Sequence, residues 1–178
     1  MLDEATSGRR MRALVVDDNR DAADTLAVLA GLWGHEVRTA YGGKAALEVA
    51  KVFHPDCFVL DLQMPGLDGY AVAQRVREDP TLRTARLVAL SANEGEIHLS
   101  RVRDAGFDYS LTKPADLGEL ERLFHMLAQA LKLAERTETL AQQNVRLAEE
   151  TKELLTEVKE ELREVKQEIK EVREEIRE

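Results

Sequence analysis

Short apolar runs alternate with amphipathic stretches along the first two-thirds of the chain. Arg12–Val16, Glu36–Thr39, Cys57–Asp61, Arg86–Ser91 and Tyr109–Thr112 are brief and rich in aliphatic and β-branched residues, the pattern of buried strands. The segments between them carry apolar residues at helical spacing. Arg20–Trp33 shows it through Ala23, Leu26, Ala27, Ala30 and Trp33, and Lys44–Phe53, Tyr70–Arg77 and Ile97–Ala105 follow suit. The His54-Pro55 and Asp79-Pro80 steps and Gly106 supply the stops. Strands alternating with helices imply parallel βαβ units with helices on both faces of one sheet. The expectation is an α/β domain built on a doubly wound, five-stranded parallel sheet.

After Gly118 the pattern changes. Residues 119–178 contain neither glycine nor proline and are dominated by Glu, Leu, Ala, Lys, Arg and Val. Such a run predicts about 90 Å of helix at 1.5 Å per residue, which a domain of this size cannot bury by itself. The expected organisation is therefore an N-terminal tail at 1–9, a domain at 10–128, and a coiled-coil helix at 129–178 continuous with the domain's last helix. Leu155, Leu162, Ile169 and Ile176 recur every seven residues, with Val158, Val165 and Val172 three residues further on. That alternation is the seam of a left-handed coiled coil. Glu161, Glu168 and Glu175 hold the g positions, and Lys159, Lys166 and Arg173 hold e. A parallel pair sets Glu161 against Lys166 and Glu168 against Arg173, whereas an antiparallel pair opposes glutamates, so the charges favour parallel association.

Valine at d leans towards three or four strands, while a buried Asn144 favours two. Leu133, Leu140, Leu147 and Leu154 repeat in a neighbouring register, with Thr137, Asn144 and Thr151 as polar seam partners. Together these features point to a parallel homodimer. The two registers meet at Leu154, Val158 and Leu162 through two successive steps of four, a stutter that locally unwinds the supercoil and could pass rotation along the helix. Residues 155–178 are regular enough to be a fused oligomerisation segment as well as a native one.

Composition narrows the partners. The 178 residues carry a net charge of −9 without a clustered basic patch, which argues against nucleic acid. No apolar run is long enough to span a membrane and no signal-peptide segment opens the chain, so a cytoplasmic location is expected. The single cysteine, Cys57, falls inside a strand and reads as a small core residue. His35, His54, His98 and His125 show no spacing that converges on a metal and are expected at the surface. Gly66 and Gly69 are read as a turn leading into a helix.

The chemistry lies where the strands end. Asp17 and Asp18 follow the first strand, Asp61 closes the third, Ser91 the fourth, and Lys113 follows the fifth. In an open parallel sheet the carboxyl ends of the strands border the ligand crevice, so folding would gather three carboxylates and one ammonium there. Adjacent carboxylates at a buried strand end repel unless a cation neutralises them, and oxygen-only ligands suit Mg²⁺. Asp61 is placed to act as a nucleophile towards a phosphoryl group, with Lys113 and Mg²⁺ offsetting the developing charge and the Ser91 hydroxyl donating to a phosphoryl oxygen.

Asp17-Asp18, Asp61, Met64-Pro65-Gly66, Ser91-Ala92 and Lys113-Pro114, in this order and spacing over roughly residues 10–128, resemble the receiver domain of bacterial two-component response regulators. The resemblance implies a flavodoxin-like receiver fold. It also implies a phosphoryl group accepted on Asp61 from a sensor histidine kinase or a small phosphodonor, catalysed by the domain itself, with onward transfer to a histidine phosphotransfer protein as one output. Asp18, Asp61 and the Gln63 backbone carbonyl would ligate Mg²⁺, with Asp17 acting largely through water. Gln63 and Asn93 would occupy positions that tune hydrolysis of the aspartyl phosphate, and Ala92 the small position beside it. One departure stands out: the family often carries an aromatic residue where this chain has Ser110. Tyr109 is adjacent but on the opposite side of its strand. The expected output is rearrangement within a dimer or binding of a partner. The alternatives are a receiver and linker from the amino-terminal part of a longer signalling enzyme, or a coiled-coil scaffold that uses the receiver as a docking surface.

Overall fold

Five parallel strands pair in the order β2-β1-β3-β4-β5. They are β1 (Arg12–Val16), β2 (Glu36–Ala40), β3 (Cys57–Asp61), β4 (Arg86–Ser91) and β5 (Tyr109–Thr112). The helices are α1 (Arg20–Leu32), α2 (Gly43–Phe53), α3 (Gly69–Glu78), α4 (Glu96–Asp104) and α5 (Leu117–Glu175). The computed structural model describes residues 10–92 and 96–176. The tail at 1–9, Asn93 and the side chains of His98 and Glu175 lie outside the described residues.

Strand alternation sorts the apolar residues into two cores. Leu14, Val16, Phe58, Leu60, Leu87 and Ala89 pack with α2, α3 and α4 on one face of the sheet. Ala13, Val15, Cys57, Val59, Val88, Leu90 and Leu111 pack with α1 and the start of α5 on the other. Both faces are covered, which is why the strands read as continuous apolar runs. The order reverses between β1 and β3, so the crevice beyond these two strand ends is the topological switch point.

Local chemistry sets the helix starts. Asn19 caps α1 by accepting from Ala22 N–H at 3.2 Å, and Asp68 caps α3 by accepting from Ala71 N–H at 2.8 Å. Trp33, expected within α1, is its C-cap and stacks edge-on against Phe124 at 5.6 Å. Gly69 has a more specific cause than a turn. A Cβ there would lie 2.3 Å from the Asp61 carbonyl oxygen, so only glycine lets α3 begin against the end of β3. His35 departs from a surface location: it is half-buried against Phe124, with ring centres 5.4 Å apart.

The chain divides into two compact units, Met1–Lys132 and Leu133–Glu178. In the second unit the helix exposes its apolar repeat, from Leu133 through Leu140, Leu147, Leu154, Leu155, Val158 and Leu162 to Ile176. Thr137 and Thr151 donate their hydroxyls back to the carbonyls of Leu133 and Leu147 at 2.8 and 2.6 Å. Among the described residues, no helix is long and apolar enough to cross a membrane.

Candidate functional site

The strand ends bring Asp17, Asp18, Asp61, Ser91 and Lys113 to one edge of the sheet. Asp17 follows Ala13 and Val15 at alternate positions, Asp61 follows Cys57 and Val59, and Lys113 follows Leu111, all members of the same core. The three charged side chains therefore share a side of the sheet. Ser91 continues the opposite alternation, after Leu87 and Ala89, and meets the site from the face of α3 and α4. The β4 and β5 ends are tied together where Lys113 N–H donates to the Ser91 carbonyl at 2.7 Å. Gly69 N–H donates to the Leu62 carbonyl at 3.3 Å, securing the turn after Asp61.

Asp17, Asp61 and Ser91 are the buried polar side chains of the first unit's described residues. Lys113 Nζ lies 2.8 Å from Asp17 Oδ2 and 3.2 Å from Asp61 Oδ2, bridging the two carboxylates. The remaining oxygens are oriented by backbone. Asn19 N–H donates to Asp17 Oδ1 at 2.9 Å, and Gln63 N–H to Asp61 Oδ1 at 3.1 Å. Burial alone would lower the Lys113 pKa, but the hydrogen bonds and negative charges of Asp17 and Asp61 outweigh it and hold the ammonium above its ordinary value. The lysine is thus firmly protonated at neutral pH.

One ammonium does not balance three carboxylates. Oxygens of Asp17, Asp18 and Asp61 all lie within 4.8 Å of one another. A Mg²⁺ ion with oxygens at about 2.1 Å sets neighbouring ligands about 3 Å apart and opposite ones about 4.2 Å apart, so small side-chain adjustments suffice. The all-oxygen donor set, with Asp18 exposed and open to water, fits this ion. Gln63 is exposed directly after Leu62, and the described contact to Asp61 is through its N–H.

Ser110 is exposed on β5, whereas Tyr109 packs into the core beneath α1 and α5, so the neighbouring ring serves a structural purpose. A different aromatic borders the site. Tyr70, which the sequence marks only as a helix start, lines a cavity with Gln63, Ser91 and Arg101. No motif announces this grouping, because Tyr70 and Arg101 meet only through the packing of α3 beside α4.

The chain matches the model of the response regulator receiver domain over residues 13–125. It is 36% identical over 105 residues to the response regulator PleD of Caulobacter vibrioides, covering 59% of this chain and 23% of that protein. It is 38% identical over 114 residues to a 14.6 kDa protein of Leptolyngbya boryana, covering 64% of this chain and 87% of that one. Among solved structures, the Francisella response regulator 1452 receiver domain superimposes with a TM-score of 0.63 at 26% identity, covering 68% of this chain and 99% of that one. The chain spans less than a quarter of PleD and about half of the Synechocystis regulator RpaA, two longer relatives.

Proposed function

Because the chain belongs to the response regulator receiver domain family, we propose that it is a phosphorylation-controlled signalling switch whose acceptor is Asp61. The observation that carries this reading is the Lys113 ammonium bridging buried Asp17 and Asp61, with Asp18 close by. Gln63 N–H fixes one oxygen of Asp61, which holds the carboxylate in a defined orientation for attack on phosphorus. As the phosphoryl group arrives, Lys113 exchanges its contact with Asp61 for one with a phosphoryl oxygen and remains anchored on Asp17. Ser91, approaching from the other face, donates its hydroxyl to a second oxygen. Asp17, Asp18, Asp61 and the Gln63 carbonyl would hold Mg²⁺, with Asp17 contributing largely through water. When bound, the ion neutralises the excess negative charge and helps position the donor.

The donor in this reading is a sensor histidine kinase or a histidine phosphotransfer protein, and the setting is the cytoplasm. The second unit forms a parallel homodimer. Support comes from an apolar repeat that is about half exposed in one chain, 51% at Leu162, 48% at Val165 and 55% at Ile169, and from the g-to-e charges. Thr137 and Thr151 satisfy their hydroxyls within their own helix, so each can enter a seam cheaply. Asn144 then sets the register. The span of only 23% of PleD supports a second reading, in which receiver and helix are one part of a longer signalling protein.

The test is intact-mass analysis after incubation with Mg²⁺ and a small phosphodonor. One phosphoryl group is expected on the wild-type chain, none on Asp61→Asn, and none after chelation. Labelling of Asp61→Asn at the wild-type rate would sink the assignment.

A further inference from the structure

On the sheet face turned towards α3 and α4, a cavity of ≈ 420 Å³ is bordered by Gln63, Met64, Tyr70, Ser91 and Arg101. It neighbours the acceptor through two of its lining residues: Gln63, whose N–H holds Asp61 Oδ1, and Ser91, at the end of the next strand. Arg101, in the last turn of α4, lays its guanidinium over the Tyr70 ring at 4.3 Å. Tyr70 is braced edge-on by buried Phe107, with centroids 6.4 Å apart, so the platform under the cation is fixed. Asp68 also lines the cavity, but its carboxylate is engaged in capping α3. Among the described residues, no ion pair neutralises Arg101. The site therefore has a second cation, on the side opposite Lys113.

We propose that Arg101 is a specificity-determining residue that favours acyl phosphates as small phosphodonors, through their carboxylate leaving group. The inference rests on Asp61 being the acceptor. An Asp61 oxygen forms the new bond to phosphorus while the bond from phosphorus to the acyl oxygen breaks. The electron pair stays on that oxygen, and a carboxylate leaves without needing a proton. Displacement in line puts the leaving oxygen on the side of phosphorus remote from Asp61. The cavity offers room on the Ser91 side, and the planar guanidinium matches a carboxylate through two parallel hydrogen bonds. Negative charge grows on the leaving group as the bond stretches, so the contact is stronger in the transition state than in the ground state. Phosphoramidate is the informative contrast. It reacts with its nitrogen already protonated, so when the P–N bond breaks the electron pair goes to nitrogen and neutral ammonia leaves, which gives Arg101 no anion to stabilise.

The experiment compares Asp61 labelling rates of the full chain, with Mg²⁺, using acetyl phosphate and phosphoramidate. Arg101→Ala should slow labelling by acetyl phosphate about tenfold and leave labelling by phosphoramidate within about twofold, as loss of one charge-assisted contact to one leaving group requires. Arg101→Lys should recover part of the loss, because it restores the charge without the fork. The phosphoramidate rate also reports that each variant is folded. Equal slowing with both donors, or an unchanged acetyl phosphate rate, would overturn the proposal. If wild-type Asp61 takes label from neither donor, the acceptor assignment fails first and this inference with it.

Discussion

Valine occupies opposite environments in the two units. Val59, in β3, is wholly enclosed between sheet and helices, whereas Val165 keeps 48% of its surface exposed. The first unit covers both faces of its sheet with its own helices, so its core is enclosed within one chain. The second is a single helix with an apolar stripe and charged flanks. Burying an aliphatic side chain contributes roughly 1.5–3 kcal/mol, so the stripe is a substantial unspent driving force for association. One unit encloses its apolar core internally, and the other leaves its apolar stripe exposed.

Three perturbations probe that contrast. The largest effect is expected at Phe124, fully buried between Trp33 and His35. Phe124→Ala should cost the first unit about 3–5 kcal/mol, read as a lowered denaturation midpoint. Val165→Asp should do the reverse. Light scattering should show the mass fall from two chains to one, while stability of the first unit changes by less than about 0.5 kcal/mol. A large loss in the first unit would show that the two are energetically inseparable.

The smallest effect is a decline in stability at alkaline pH. Burial pushes the Cys57 thiol up to about 12, with Asp108 and Asp56 adding to it and Arg86 opposing, and the Lys113 ammonium is also held above its ordinary value. Both groups keep protons in the folded state that the unfolded chain gives up earlier. Their contribution is therefore complete below the ordinary thiol value of 9.0 and fades as pH rises through the folded values. Denaturation midpoints should fall above about pH 9 and fall less in Cys57→Ala. A flat profile would contradict the assignment.

Much of the first unit is legible in the order of residues. The five strands stand within a residue of where their apolar runs place them, because a strand buried on both faces leaves an unbroken apolar signature. Asp17, Asp61 and Lys113 are legible for the same reason: each is the charged residue at which such a run stops. The supports are not. Arg77 donates to the carbonyls of Gly106, Arg83 and Ala85 and to Asp108 Oδ2 at 2.6–2.9 Å, and Asp108 also receives Leu87 N–H at 2.8 Å. This clamp joins α3, β4 and the approach to β5, and nothing local to Arg77 distinguishes it from a solvated arginine. The close approach of Gly69 to the Asp61 carbonyl is equally invisible before the chain closes on itself.

The alternation of apolar and polar residues by itself determined the parallel α/β architecture, the acidic strand ends and the heptad stripe, because each is a periodicity of neighbours along one chain. Only the tertiary structure decided that Lys113 spans Asp17 and Asp61, that Ser91 approaches from the other face, and that Arg101 lies over Tyr70 in a cavity that Ser91 also lines. Those relations join residues far apart in sequence. They exist only once strand order and helix packing have fixed distances that no local pattern encodes.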